Sequence, residues 1–316
     1  MPRLLRRAPP AKLGPTRGKL MAYWKIALGL AILIAVAAGA FFFFVSPPRQ
    51  LDLIDGMMAS EGDSSRVAEG VRFGDHPRQQ LDVWAPKDAA GKKLPVLIFY
   101  YGGSWRWGSR SHYGFVGRAF AARGYVVVIP DYRLVPQVRF PAFVQDSALA
   151  VKWTRDHIAE FGGDPARIAV AGHSAGAYNA AMVALDAHYL RDIGVDPKII
   201  RAGLLLAGPF DFYPFDGPAT KAAFGDWPRP AETQPVSFAR ADAPPLLIMQ
   251  GTADDVVKPR NAPALAARLK AAGAVFEQRD YAGANHNDPI MGLSKPFRGN
   301  APTLADSVAF LQKHDR

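Results

Sequence analysis

The chain contains no cysteine. That excludes disulfide cross-links, thiolate metal centres and cysteine nucleophiles, and leaves the redox compartment unmarked. Internal repeats and low-complexity tracts are missing too, which removes solenoid and fibrous architectures. Acidic residues are absent from positions 1–25, where seven basic side chains stand: Arg3, Arg6, Arg7, Lys12, Arg17, Lys19 and Lys25. The formal net charge of +10 is therefore mostly a property of this tail. Such a short basic tail argues against nucleic acid as a partner, because it leads directly into an apolar run.

That run, Ile26 to Val45, is 20 residues without a charge. It is about the length a helix needs to span a bilayer. Tyr23 and Trp24 precede it at interface depth, and the basic excess lies on its N-terminal side. The positive-inside rule then puts the N-terminus in the cytoplasm and everything after Ser46 outside, as a single-pass protein of the cytoplasmic membrane. The alternative is a secreted protein, cleaved at the small residues Ala38-Gly39-Ala40. The expected organisation is a basic tail (1–25), an anchor or uncleaved signal (26–45), a juxtamembrane connector (46–66) and a globular domain (67–316). In the connector, Leu51, Ile54 and Met57 or Met58 suggest a short amphipathic helix.

The remainder is long enough, at 49% hydrophobic residues overall, to bury a sizeable core. Antiparallel strands are predicted at 67–73 and 80–86. Apolar runs at 95–101, 125–130, 167–172, 202–208 and 244–251 read as strands covered on both faces, with a last strand at 275–281. Helical stretches at 111–123, 143–160, 175–190, 261–272 and 302–313 fall between them. Alternation of this kind predicts an α/β fold with a mostly parallel central sheet and helices on both faces. Residues 209–243, rich in proline and aromatics, break the pattern and read as a cap-like insertion over one end of the sheet.

Gly172-His173-Ser174-Ala175-Gly176 follows a predicted strand and opens a predicted helix. Small residues around Ser174 permit a sharp turn that holds its hydroxyl clear of the sheet. A serine hydroxyl needs a base to become a nucleophile, and His286, in a loop after the last strand, is placed for that role. His314, close to the end of this sequence, is the poorer choice. An acid to orient the histidine is expected just past a strand, where Asp254 is preferred over its neighbour Asp255, with Asp211 third. Gly102-Gly103 after the first long apolar run let backbone amides approach a ligand, so the N–H groups of Gly103, Ser104 and Ala175 are the expected oxyanion donors. Trp105, Trp107, Phe210 and Phe212 are candidates for lining an apolar substrate pocket, with Phe140, Tyr213, Phe224 and Trp227 as further members. Asp131, Tyr132 and Arg133 read as a structural turn network.

These stretches, with YYGGSWRWG, FGGDPARIAVAGHSAG, GTADDVV and GANH in that order, resemble the α/β-hydrolase superfamily. The similarity is to its carboxylesterase branch, near hormone-sensitive-lipase-like and feruloyl-esterase-like enzymes, over most of residues 67–290. The resemblance implies the α/β-hydrolase fold and hydrolysis of carboxylic esters by Ser174, Asp254 and His286, through an acyl-enzyme. It calls for no cofactor and no metal; the expected partners are a small-molecule ester and, through residues 26–45, the lipid bilayer. Tyr101 departs from the histidine that usually begins the family's glycine loop. An amidase such as an aryl-formamidase, a small peptidase, and a non-catalytic binding module are the alternative readings.

Overall fold

The computed structural model describes residues 16–58 and 61–314. Its contacts divide the chain into two units, Met1–Gln50 and Leu51–Arg316. The first contains helix α1 (Thr16–Phe44). Within α1, Ala22–Phe41 is a 20-residue window of mean hydropathy 2.1 with none of its described side chains buried. By length and composition it is sufficient to cross a membrane. The helix starts ten residues ahead of Ile26 and so takes in part of the basic tail; residues 1–15 of that tail lie outside the described residues.

Helix α2 (Pro47–Met58) follows, and from Leu51 it belongs to the second unit. One sequence expectation is corrected here: the compact unit begins at Leu51 and not near Val67. The short helix expected in the connector is present, with Leu51 buried, Ile54 half-buried and Met57 and Met58 exposed. Leu51, Asp52 and Asp55 are the buried residues. Charge pairing is the reason: the guanidinium of Arg118 donates to Asp55 Oδ2 and to Asp52 Oδ1, both at 2.8 Å. Asp55 Oδ1 accepts from Ser294 Oγ at 3.0 Å and from the Lys295 amide at 2.9 Å. Buried carboxylates are tolerated when this well paired.

The second unit is built on an eight-stranded sheet in the order β1-β2-β4-β3-β5-β6-β7-β8. The strands are β1 (Ser64–Arg72), β2 (Gln80–Pro86), β3 (Leu94–Tyr100), β4 (Val126–Pro130), β5 (Gly163–His173), β6 (Ile200–Leu206), β7 (Leu246–Gly251) and β8 (Phe276–Tyr281). β2 is antiparallel to both β1 and β4, and the pairings from β4 through β8 are all parallel. Every residue of β4 and β7 is buried, as two covered faces require. The outer strand β8 carries charged and exposed residues instead, which blunts the free edge.

Between the strands run α3 (Gly114–Ala121), α4 (Ala142–His157), α5 (Ala175–Leu185), α6 (His188–Arg191), α7 (Pro218–Phe224), α8 (Asn261–Ala272), α9 (Asp288–Met291) and α10 (Thr303–His314). The β6–β7 connection holds α7 and two short 3-10 turns, at Pro230–Thr233 and Pro235–Phe238. Because β3 to β8 are parallel, their C-terminal ends lie along one edge of the sheet. Ligands of open α/β sheets bind outside that edge.

Candidate active site

Four strand ends deliver the site: β3 leads into Tyr101–Trp105, β5 into Ser174, β7 into Asp254 and β8 into the loop bearing His286. Ser174 has φ 55° and ψ −122°, a backbone conformation that a side chain with a Cβ rarely adopts. Holding it costs about 1–3 kcal/mol, which the surrounding packing must offset. The glycines on either side make the bend possible. A Cβ on Gly172 would stand 2.2 Å from the Gly176 carbonyl oxygen, and one on Gly176 would stand 2.0 Å from that of Tyr100. The turn is therefore pressed flat against the end of β3.

The Ser174 hydroxyl, half-buried, lies 3.0 Å from His286 Nε2. On the other side of the ring, His286 Nδ1 lies 2.8 Å from Asp254 Oδ2. An ionised carboxylate only accepts, so Nδ1 carries the proton and Nε2 is left to accept from the hydroxyl. Asp254 is buried and saturated: Oδ1 accepts from the amides of Val256 and Val257 at 2.9 and 2.8 Å, and Oδ2 from Gln250 Nε2 at 2.7 Å. Burial pulls the Asp254 carboxyl upward. The hydrogen bond and charge of His286, the Val257 amide and Gln250 outweigh it and leave the group below the ordinary value of 3.8. The row thus has an ionised acid at one end and a solvent-reachable hydroxyl at the other. Asp255 and Asp211 are exposed and outside it, and His314 stands in α10.

His173, inside the GHSAG stretch, faces His286 from below. Its Nε2 donates to the His286 carbonyl at 3.0 Å, and the two rings are 4.8 Å apart. Burial first, and then the neighbouring His286, pushes its pKa down to about 3, so it stays neutral at ordinary pH. Sequence reasoning passed over His173 and Gln250. The signal for both was adjacency, His173 to the serine and Gln250 to the end of β7.

The glycine loop lies directly beside the serine. A Cβ on Gly102 would be 3.1 Å from Ser174 Cβ. Gly103 has φ 129°, and the two residues after it, Ser104 and Trp105, have φ 52° and 57°. Three consecutive positive φ values turn the loop back on itself. Ala175 is the first residue of α5, where amide N–H groups have no partner within the helix. Tyr101 braces this loop from beneath. Its hydroxyl donates to Asp131 Oδ1 at 2.6 Å and accepts from Arg78 Nη2 at 2.8 Å, while Tyr132 donates to the Tyr101 carbonyl at 2.8 Å. Arg110 closes the network with Nη1 on Asp131 at 2.6 Å and Nε on Asp82 at 2.7 Å.

The aromatics named as pocket lining divide. Trp105, Phe210 and Phe212 are buried, and Trp105 packs within 4.8 Å of Phe224 and 5.2 Å of Tyr178, measured between ring centres. All three lie in the interior, whereas Trp107 is 49% exposed. Phe140 and Phe224 are buried, Trp227 is half-buried and Tyr213 is exposed.

Comparison with known proteins finds similarity to esterases. A family model described as BD-FAE matches residues 81–213. The chain is 35% identical over 267 residues to esterase LipC of Mycobacterium tuberculosis, covering 78% of this chain and 65% of that protein. It is 28% identical over 267 residues to the isoprenylcysteine alpha-carbonyl methylesterase ICME of Arabidopsis thaliana, covering 78% and 62%. The match thus spans slightly less than two thirds of the length of these curated relatives. Among solved structures, an inhibited esterase B from Lactobacillus rhamnosis superposes with a TM-score of 0.71 at 20% identity, over 90% of this chain and 96% of that one. At that identity the likeness speaks for the fold, which is the α/β-hydrolase fold.

Proposed function

We propose, for a chain that belongs to the α/β-hydrolase superfamily in its carboxylesterase branch, the hydrolysis of carboxylic esters by acyl transfer through Ser174, His286 and Asp254. The observation that carries the reading is the imidazole of His286 bridging hydroxyl and carboxylate at 3.0 and 2.8 Å. His286 Nε2 takes the Ser174 proton as the oxygen attacks the ester carbonyl, and the resulting imidazolium is stabilised by Asp254. The developing oxyanion is met by the N–H groups of Gly103, Ser104 and Ala175. Collapse expels the alcohol, which takes the proton from His286. Water, deprotonated by the same imidazole, then attacks the acyl-enzyme, releasing the acid and restoring Ser174.

The same reading makes α1 a single-pass anchor with the hydrolase unit outside the cytoplasm, supported by the basic residues ahead of an uncharged run. Protease treatment of intact cells tests it: the hydrolase unit should be digested while a cytoplasmic marker survives, and protection would reverse the orientation. For the chemistry, the full chain in detergent is assayed against a panel of p-nitrophenyl esters beside Ser174→Ala. Activity in the parent should fall by about 10³-fold or more in the variant. Equal rates would end the assignment. A formyl-anilide in the same panel separates esters from amides.

A further inference from the structure

The loop that carries the oxyanion donors is held in a conformation it would not adopt alone. Ser104 and Trp105 both have positive φ without being glycine, and strain of this kind persists only where the surroundings over-determine it. Three contacts do so here. The Trp105 carbonyl accepts from the Val135 amide at 2.8 Å. Its indole ring is buried among Phe143, Tyr178, Phe212 and Phe224. Finally, its Nε1–H donates to Asn179 Oδ1 at 3.2 Å.

Asn179 is the unexpected partner. It is a fully buried amide in α5, whose other residues, AGAYAAMVAL, are small or apolar apart from Tyr178. Its Nδ2 group has no hydrogen-bond partner. Turning the amide over would not help, because it would set an N–H₂ group against the indole N–H. Leaving a buried donor unsatisfied is unfavourable; replacing Asn179 alone would orphan the buried Trp105 Nε1–H in its place, whereas replacing both partners by apolar groups avoids the penalty altogether. The pair is therefore not explained by stability. Asn179 stands one helical turn beyond Ala175, so it lies on the same side of α5 as the amide of that residue. Its carbonyl oxygen ties the strained loop to the very helix that supplies the third donor.

We propose that Asn179 is a positioning residue for the oxyanion hole. Through the Trp105 indole it sets the Gly103–Ser104 amides in register with that of Ala175. The proposal rests on the esterase reading above and adds a residue that touches neither substrate nor the reacting atoms. Its signature is a loss of rate out of proportion to any loss of stability. The full chain in detergent is compared with Asn179→Leu and with Trp105→Phe, which keeps an aromatic ring but loses the N–H. For each protein the measurements are Tm, kcat and KM on p-nitrophenyl butyrate, and Ki for a trifluoromethyl ketone, which mimics the tetrahedral oxyanion.

Asn179→Leu should stay folded and melt only a few degrees below the parent, as expected for an orphaned Trp105 N–H. Its kcat should fall about 10- to 100-fold with KM within threefold, in the range that loosened oxyanion donors produce. Ki should rise by the same factor, and Trp105→Phe should move kcat and Ki in the same direction. Parental kcat and Ki in both variants, or a fall in kcat that only tracks a lower Tm, overturns the proposal. Failure of the underlying reading is visible separately, as parental rates in Ser174→Ala, and would remove both.

Discussion

Two buried aspartates follow two strands of the same sheet, and their surroundings differ in one respect. Asp131, after β4, is closed: Tyr101, the Arg110 amide and the Arg110 guanidinium occupy its oxygens, and Arg110 runs on to Asp82. Asp254, after β7, is just as well supplied with hydrogen bonds, but one of them comes from an imidazole. Arginine keeps its proton under all ordinary conditions, whereas histidine exchanges its own near neutrality. The far nitrogen of that imidazole reaches a half-exposed hydroxyl. Saturated networks of fixed charge hold a fold. A network that ends on a titratable ring and an accessible oxygen is arranged for proton transfer.

Breaking the open network should cost rate and little else. Asp254→Asn removes the anion that selects the His286 tautomer, and kcat on p-nitrophenyl butyrate should drop by about 10³- to 10⁴-fold with Tm changed by only a few degrees. A rate within tenfold of the parent would contradict the acid's role. Breaking the closed network should do the reverse. Arg110→Met leaves Asp82 and Asp131 buried without their principal partner, and urea unfolding should show a loss of about 3–5 kcal/mol. The rate per folded molecule should stay within about threefold of the parent; an inactive yet stable variant would mean that this network belongs to the chemistry.

The two histidines at the site give a third contrast, in pH. His173 is neutral in the fold down to about pH 3, while in the unfolded chain it protonates near 6.5. Between these values the unfolded state binds the extra proton, so stability rises with pH across the window and is lost on acidification. The contribution is on the order of 5 kcal/mol. His173→Gln should flatten that limb in denaturant titrations between pH 3 and 6.5, and an unchanged slope would contradict the assignment. The smallest effect is expected at Asp255, exposed beside Asp254. Asp255→Asn should leave stability within about 0.5 kcal/mol and kcat within twofold, and a large loss there would move the acid by one position.

The central strands were legible because buried strands write themselves as short, continuous runs of Val, Ile and Leu. β4 (VVVIP) and β7 (LLIMQG) are examples, and the sheet order then brings Ser174, Asp254 and His286 to one edge. Helix α2 was legible from its amphipathic pattern, but the burial of its aspartates was not. Here Asp52 and Asp55 turn inward to meet Arg118, and charge pairs across 63 and 66 residues leave no local trace. Asn179 and His173 escaped for a related reason: each acts through a partner distant in sequence, Trp105 and the His286 carbonyl. A lone amide in an alanine-rich helix was the available clue. For the aromatic residues, composition alone did not separate Trp105, which packs inside, from Trp107, which faces solvent.

The most direct test of the central claim is the mass of the intact protein after brief exposure to diisopropyl fluorophosphate, followed by peptide mapping. One adduct on Ser174 is the predicted result, formed at a much lower rate in His286→Ala. An unmodified protein, or an adduct on a different serine at an undiminished rate in that variant, would contradict the claim that this hydroxyl is the activated one.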